Sequence, residues 1–284
     1  ILPKVVAKVG EKVKAGSVLM IDKNRPEIKF VSPVSGEVTA VNRGEKRKVL
    51  SIVVKPDAQI EYEEFGKKNV ASLQGAEVKE VLLNAGMWPF IKQRPYDIVA
   101  APLDTPRDIF VSAFYSAPLA PNFDFIVKGQ EADFQTGLNA LAKLTNGKVY
   151  VGVRSGSVVS GMKGVEIVEV EGPHPAANVG VQINHIKPVN KGEVVWTVNP
   201  ADVIVIGRLF NKGVADFSRM VAITGSETTE RGYVKTISGC TIKSLVNGKV
   251  LGQEHIRIIS GNVLSGTKVM KLSLIHISEP TRRS

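Results

Sequence analysis

Gly10-Glu11-Lys12-Val13-Lys14 recurs in altered form as Gly44-Glu45-Lys46-Arg47-Lys48, and each copy leads into an apolar run. Those runs are Val18-Leu19-Met20-Ile21 and Val49-Leu50-Ser51-Ile52-Val53-Val54. Short β-branched runs separated by glycine turns form strands rather than helices. A duplicated set of such strands can close into a flattened barrel, because each half covers the apolar face of the other. Residues 1–56 therefore predict a small β-barrel.

This predicted barrel resembles the biotinyl/lipoyl-type barrel-sandwich hybrid. The residues that supply its usual pattern are Val9, Val13, Gly16, Leu19, Pro33, Gly36 and Val38. In a carrier of this type, the modified lysine lies at a hairpin tip about eight residues before the proline. That position is Arg25, whose guanidinium stays protonated and cannot be biotinylated or lipoylated. Lys23 lies close by but lacks the flanking Met or Ala, so we interpret residues 1–56 as a barrel without a carrier lysine.

Composition restricts the class of protein. The chain has 284 residues, of which 43% are hydrophobic and 23% charged, as expected for two or three globular domains. No apolar run approaches the roughly 18 residues that a membrane span needs. Cys240 is the single cysteine, which excludes an intramolecular disulfide and iron–sulfur ligation by this chain. Its apolar, β-rich surroundings predict that Cys240 is a small core residue.

The net charge of +10 is the unusual bulk property, and its main concentration is Lys46-Arg47-Lys48. Nucleic acid is the first partner to consider for such a chain. However, the basic residues include no basic helix, helix-turn-helix pattern or aromatic pair of the RNA-binding kind. We therefore predict no nucleic-acid partner. The basic surface is interpreted as facing anionic lipid headgroups or an acidic protein of the same assembly.

Beyond a polar linker, residues 70–212 alternate between helix and strand patterns. Glu131 to Leu144 forms one amphipathic stretch, and Asn199-Pro200 opens another that Gly213 ends. This order predicts a Rossmann-like open α/β sheet. Residues 213–272 contain short β-rich runs, Thr241-Ile242 among them, divided by glycines, which predicts a β-grasp-like module. The predicted fold class is thus mixed α/β and multidomain.

The last twelve residues, 273–284, continue no earlier periodicity. They resemble a translated cloning or sequencing adaptor, and we interpret them as a non-native tail. The chain is accordingly expected to be a fragment of a longer protein.

The order of barrel, Rossmann-like domain and β-grasp-like module resembles one family. This is the A subunit of the sodium-translocating NADH:quinone reductase. The flavin subunit of respiratory complex I and the C subunit of the Rnf complex are more distant relatives. The segments that carry the resemblance are Phe30–Gly36, Val41–Arg47, Arg94–Tyr96, Gly172–Ala176, Asp202–Phe210 and Ile259–Gly266. The resemblance as a whole runs over nearly all of residues 1–272.

The resemblance also shows a departure at the loop that holds flavin in the distant relatives. Their loop is dense in glycine because only glycine lets the backbone close onto a phosphate. Here the corresponding stretch is Leu83–Phe90, which keeps one glycine and places Met87 and Trp88 where a phosphate would lie. We therefore expect this chain to bind no cofactor. In the complex, the resemblance implies FMN, FAD, iron–sulfur centres and quinone.

Candidate site residues are few. His174 and Pro175 belong to a rigid Gly-Pro-His-Pro loop, and with His185 and Trp88 they are candidates for lining a cleft or docking face. No carboxylate or third histidine stands at metal-ligand spacing beside the two histidines, so no metal site is predicted. No catalytic residue is predicted either, because no nucleophile–base set or phosphate-binding loop is present.

The resemblance implies a soluble subunit on the cytoplasmic face of the inner membrane, peripheral to a sodium-pumping NADH:quinone oxidoreductase. Its expected contributions are assembly with the other subunits of that complex and quinone binding, without independent activity. Two alternatives stay open at this point. One is a stand-alone flavin-dependent NADH dehydrogenase, and the other is a biotin or lipoyl carrier.

Overall fold

The computed structural model describes residues 1–251 and 256–269. The predicted tail, residues 273–284, lies outside the described residues. The described part combines helices and strands in three successive regions, which confirms the predicted mixed α/β class.

The N-terminal region is a barrel of two three-stranded antiparallel sheets. One sheet has the order β1-β3-β4, and its strands are Pro3–Val5, Val18–Asp22 and Lys29–Val31. The other has the order β2-β5-β6, and its strands are Lys12–Val13, Gly36–Arg43 and Val49–Pro56. Ala7, Val13, Leu19 and Val38 form the small core between the sheets. Each sheet thus combines strands from both halves of the duplicated sequence.

The middle region is built on a six-stranded sheet with the order β11-β10-β9-β12-β7-β8. In chain order, its strands are Lys92–Arg94 (β7), Ile98–Val99 (β8), Ile109–Ser112 (β9), Val149–Val153 (β10), Glu166–Glu169 (β11) and Val195–Thr197 (β12). Strands β9 to β12 are parallel, and the β7–β8 hairpin adds an antiparallel edge. The strand order reverses direction between β9 and β12.

Five helices surround this sheet: Gly75–Asn84 (α1), Phe123–Val127 (α2), Glu131–Ala142 (α3), Val179–Ile186 (α4) and Pro200–Lys212 (α5). The predicted helices after Glu131 and after Asn199 are confirmed, and Gly213 ends α5 with a left-handed φ of 75°. Helices α3 and α5 cross closely, since a Cβ on Gly207 would lie 1.6 Å from the Asp133 carbonyl oxygen. The short α2 and α4 were not predicted, although Asn122 and Asn178 cap them.

The last described region follows Gly213. It contains the hairpin Ser218–Ile223 (β13) with Gly232–Ile237 (β14), the helix Ile242–Val246 (α6), and the hairpin Ile258–Ser260 (β15) with Thr267–Val269 (β16). The predicted strand at Thr241-Ile242 is wrong, because Thr241 is the N-cap of α6. Cys240 is half-buried rather than in the core, and its sulfur lies 2.9 Å from the Thr236 hydroxyl oxygen.

The linker between barrel and middle region is ordered by backbone pairing. Ala15 in the barrel donates its N–H to the Glu61 carbonyl at 2.9 Å, and Glu63 donates back to Ala15 at 2.8 Å. Further along, the Phe65 N–H donates to the Gly213 carbonyl at 2.8 Å. The linker therefore joins the barrel to the end of α5, which is where the third region begins.

Candidate functional site

Residues 83–90, the predicted counterpart of a flavin loop, are filled by their own side chains. Met87 and Trp88 are completely buried. The Trp88 indole N–H donates to the Ala100 carbonyl oxygen at 2.8 Å, and its ring packs edge-on against Trp196 with centroids 5.4 Å apart. Trp88 is thus a core residue, which corrects the expectation that it lines an accessible cleft.

The remaining glycine of this loop faces the barrel. Gly86 has a φ of +67°, and a Cβ added there would lie 2.5 Å from Val31 Cγ1. Ile28, from the same barrel hairpin, is completely buried in the core of the middle region. The space over Gly86 is therefore taken by β4 of the barrel rather than left open.

The hairpin tip that would hold a carrier lysine is held in place on both sides. The Lys23 N–H donates to the Leu2 carbonyl at 2.7 Å, and Lys29 Nζ donates to Asn84 Oδ1 at 2.8 Å on α1. Arg25, at the carrier position, is half-buried between these anchors. A swinging arm needs a freely projecting tip, whereas this one packs against two neighbouring segments.

The Gly-Pro-His-Pro loop lies at the carboxyl edge of the parallel strands, where open α/β sheets bind ligands. His174 and Pro175 are exposed there. The His174 Nδ1 lies 3.1 Å from the Ser116 hydroxyl, which follows β9 and also accepts the Ala177 N–H at 3.0 Å. The structure thus brings together two residues that are 58 positions apart in the chain.

A buried polar network supports this loop from beneath. The Ser112 hydroxyl, at the end of β9, donates to the Ala177 carbonyl at 2.8 Å. The Gln182 amide donates to Ser112 Oγ at 3.0 Å and to the Ala176 carbonyl at 3.1 Å. Gly152 allows this approach, since a Cβ there would lie 2.2 Å from Gln182 Oε1. The loop is therefore preorganised by α4 and two strand ends.

Arg154 adds a positive charge at the same edge. Its guanidinium lies over the Phe114 ring, 4.7 Å from the centroid, and donates to the Gly172 carbonyl at 2.9 Å. Sequence reasoning did not single out Arg154, Ser112, Ser116 or Gln182. The available signal was their position at or after the ends of β9 and β10, or on α4 after β11. It becomes informative only once the parallel order of the strands is known.

His185 lies apart from His174. It is exposed near the end of α4, about seven residues and roughly 10 Å along the helix from the Asn178 cap. Two residues later, Lys187 Nζ reaches Asp108 at 2.7 Å, at the start of β9. His185 is therefore on the side of the amino edge, and the two candidate histidines do not form one site. Among residues 1–251 and 256–269, no three His, Cys, Asp or Glu side chains form a group that could hold a metal ion.

The amino edge carries a charge network rather than a ligand site. The Asp108 carboxylate is buried and accepts hydrogen bonds from Arg107, from Lys187 and from the Lys148 N–H. Burial by itself would raise the pKa of Asp108, but the hydrogen bonds from Lys187, Lys148 and Arg107 outweigh it and lower the pKa below its ordinary value. Every strong contact of Asp108 is internal, so we interpret the network as structural.

These features define a class of protein. A barrel-sandwich hybrid packs on a Rossmann-like α/β domain, and a small β-rich module follows that domain in the chain. Three family models match the chain in that order. The NqrA N-terminal barrel-sandwich hybrid domain matches residues 1–57, the NqrA second alpha/beta domain 73–215, and the NQRA C-terminal domain 220–271. The chain belongs to the NqrA family.

Curated relatives agree with this assignment. The A subunit of the Na(+)-translocating NADH-quinone reductase of Photorhabdus laumondii is 37% identical over 94% of this chain and 60% of its own length. The protein of the same name from Neisseria meningitidis serogroup A is 36% identical over 93% of this chain and 60% of its own length. The chain thus spans about 60% of the length of the curated relatives that it matches.

One solved structure, an NAD+-reducing [NiFe]-hydrogenase in the air-oxidized state, covers 72% of this chain and 47% of its own chain. Its TM-score is 0.47 at 10% identity, a likeness too low to support any inference about function. Within the described part of the chain, no helix combines the length and apolar character that crossing a bilayer requires.

Proposed function

We propose that this chain is part of a peripheral, cytoplasm-facing subunit of a membrane-bound sodium-translocating NADH:quinone oxidoreductase. The observation that carries the proposal is the match of three NqrA domain models, in order, along nearly the whole chain. The electron carriers of the complex would then reside on other subunits. This chain would contribute assembly and a quinone contact.

The packing around Gly86 supports the absence of a flavin at this loop. A flavin phosphate needs open backbone N–H groups at such a loop. Here the β4 residue Val31 lies against Gly86, and the Met87 and Trp88 side chains fill the core. This arrangement disfavours the alternative of a stand-alone flavin-dependent NADH dehydrogenase. The anchored hairpin at Arg25 likewise disfavours a biotin or lipoyl carrier.

Affinity purification of the full-length protein from its own membranes tests the proposal. Recovery of integral redox subunits is the expected result, and the protein separated from those subunits should be colourless. A solitary yellow protein with a stoichiometric flavin absorption band would overturn the proposal in favour of the flavoenzyme. An intact mass increased by one biotinyl or lipoyl group would instead favour the carrier.

The carboxyl edge is our candidate for the quinone contact. A quinone needs a mostly apolar surface with a few polar anchors. The exposed apolar side chains Leu119, Phe125 and Val158 belong to segments that follow β9 and β10, as do the polar Ser116 and Arg154. His174 would donate a hydrogen bond to a quinone carbonyl.

Two exposed histidines provide a matched test of this contact. Binding of a short-chain ubiquinone to the full-length protein is measured by titration calorimetry for His174→Ala and His185→Ala. We expect His174→Ala to weaken binding about tenfold, as for the loss of one hydrogen bond to a ligand, and His185→Ala to leave it unchanged. Equal affinities in the two variants would contradict a quinone contact at this edge.

A further inference from the structure

The barrel concentrates the positive charge of the chain. Residues 1–57 contain twelve Lys and Arg against six Asp and Glu, so they hold a net charge of +6 out of the +10 of the whole chain. Two of these lysines are neutralised locally: Lys12 pairs with Asp57 at 3.6 Å, and Lys14 pairs with Glu61 at 3.9 Å. The remaining charge is therefore unevenly distributed over the barrel surface.

Its densest part is the tip of the β5–β6 hairpin, residues 43–50, which we name the basic tip. Arg43, Lys46, Arg47 and Lys48 are all exposed there, and Glu45 is the one acidic residue. Within the described part of the chain, none of the four basic side chains forms an ion pair with a carboxylate. The basic tip thus presents an unneutralised cluster to solvent.

The backbone of the basic tip is held in an unusual shape. Lys46 and Arg47 have left-handed φ values of 52° and 59°, which cost L-residues about 1 kcal/mol each. Backbone bonds close the turn, because the Gly44 N–H donates to the Lys48 carbonyl at 2.8 Å. Arg43 Nη1 also donates to the Arg47 carbonyl at 3.2 Å. Residues held in such sparsely populated backbone conformations cluster at functional sites.

An apolar side chain accompanies the charges. Leu50 is 59% exposed, and it lies against Gly44, whose added Cβ would be 3.2 Å from Leu50 Cδ1. The barrel docks on the middle region through Val31, in β4 of the other barrel sheet, and through Ile28 directly before that strand. The basic tip is on the sheet that does not make this contact and is not covered by it.

We propose that the basic tip binds an anionic lipid surface, with the four basic groups at the headgroups and Leu50 inserted among them. Lys and Arg near an anionic leaflet are attracted to it, and one exposed leucine beside them adds apolar contact. The chemistry disfavours nucleic acid, because no aromatic residue lies between Phe30 and Tyr62 to stack on a base. The proposal does not depend on which redox complex the chain serves, and failed co-purification with redox subunits would leave it standing.

Co-sedimentation of the full-length protein with vesicles tests it. Vesicles of phosphatidylcholine with about 30% phosphatidylglycerol serve as the anionic surface, and pure phosphatidylcholine vesicles serve as the neutral one. We expect binding to the anionic vesicles only, with loss on raising the salt concentration. Lys46→Gln, Arg47→Gln and Lys48→Gln combined should weaken it on the order of 100-fold, and Leu50→Ser alone by several-fold.

A matched control variant removes the same number of positive charges from a different part of the surface. Lys128, Lys163 and Lys191 are exposed residues of the middle region without ion pairs in the described chain, and changing all three to Gln should leave vesicle binding within about threefold. Equal weakening by the two triple variants would overturn the proposal, because bulk charge would then suffice. Absence of wild-type binding would also overturn it. Duplex DNA provides a further test. If the wild type binds DNA as tightly as it binds anionic vesicles, and the basic-tip variant loses that binding, the proposal is overturned, because the basic tip would then be a general polyanion site.

Discussion

Gly86 and Val31 touch across the boundary between the middle region and the barrel, with only 2.5 Å between a hypothetical Gly86 Cβ and Val31 Cγ1. The missing side chain at Gly86 allows a residue of another domain to approach the backbone closely. Its left-handed φ of +67° adds a second reason for glycine. The barrel can therefore pack against the middle region in this position only because residue 86 has no side chain.

Gly86→Ala should destabilise the protein by about 2–4 kcal/mol, since it adds a steric overlap to the cost of a left-handed alanine. Gly129→Ala is the matched control. Gly129 has a φ of +78°, and an added Cβ there would meet nothing within 4 Å. The control should cost only about 1 kcal/mol. Denaturant unfolding of both variants measures the difference, and equal losses would show that the barrel contact does not constrain Gly86.

The two tryptophans of the core should differ in sensitivity to phenylalanine. Trp88 donates to the Ala100 carbonyl, whereas Trp196 Nε1 is buried without a partner among the described residues. Trp88→Phe removes a hydrogen bond and leaves a buried carbonyl unsatisfied, which should cost about 1–3 kcal/mol more than Trp196→Phe. Thermal unfolding monitored by circular dichroism compares the pair. A larger loss for Trp196→Phe would contradict the assigned bond.

Local signals determined how far the sequence could be interpreted. Asn199, Pro200 and Gly213 lie within one helix length and act on their own backbone, so α5 was predicted with its ends. Trp88 was ambiguous, because an aromatic residue in a loop can pack in a core or bind a ligand. Its partner Trp196 comes from β12, and no short-range pattern links the two. The same holds for Ser116 and His174, which only the parallel order of strands brings together.

Short helices and strands were harder to predict from the sequence. Thr241-Ile242 favours a strand by composition, because β-branched residues are enriched in strands. A threonine is also a good N-cap, and here it precedes the five-residue α6. Helices of five to eight residues bury too few side chains to show a periodic pattern, which is also why α2 and α4 were missed.

Asp108 should make stability depend on pH in the acid range. Its pKa is lowered from an ordinary value of 3.8 by the hydrogen bonds that outweigh its burial. A carboxyl group with a lower pKa in the folded state stabilises the protein above about pH 4, and this contribution is lost as the pH falls through the folded value. Asp108→Asn should therefore cost about 2 kcal/mol at pH 7 and progressively less toward pH 3.

Stability of both proteins measured across this range checks the prediction. Glu166→Gln serves as a control, because Glu166 pairs with Lys148 on the surface, with both side chains about half exposed. Surface pairs contribute little, so that variant should follow the wild-type pH profile within about 0.5 kcal/mol. A constant difference between Asp108→Asn and wild type at every pH would rule out the titration of Asp108 as its cause.

A buried ion pair joins the third region to α5. Arg219, on β13, pairs with Asp202 in the first turn of α5, and its Nε donates to Ser238 Oγ at 2.5 Å. Both side chains are almost fully buried, and this burial raises the pKa of the Asp202 carboxyl although Arg219 opposes the shift. Removing one partner leaves an uncompensated buried charge, so Arg219→Met should cost about 3–5 kcal/mol. Replacing both with apolar residues, as in Arg219→Met with Asp202→Leu, should recover most of that loss, because the double variant buries no lone charge.

A double-mutant cycle on unfolding free energies measures this coupling. Limited proteolysis adds a structural readout, since loosening of the third region should expose the chain after Gly213 in the single variant and protect it again in the double variant. Additive losses in the cycle would mean that Arg219 and Asp202 act independently. In that case the region would be held by apolar contacts such as Phe217 against Phe90, whose ring centroids lie 6.1 Å apart, rather than by the ion pair.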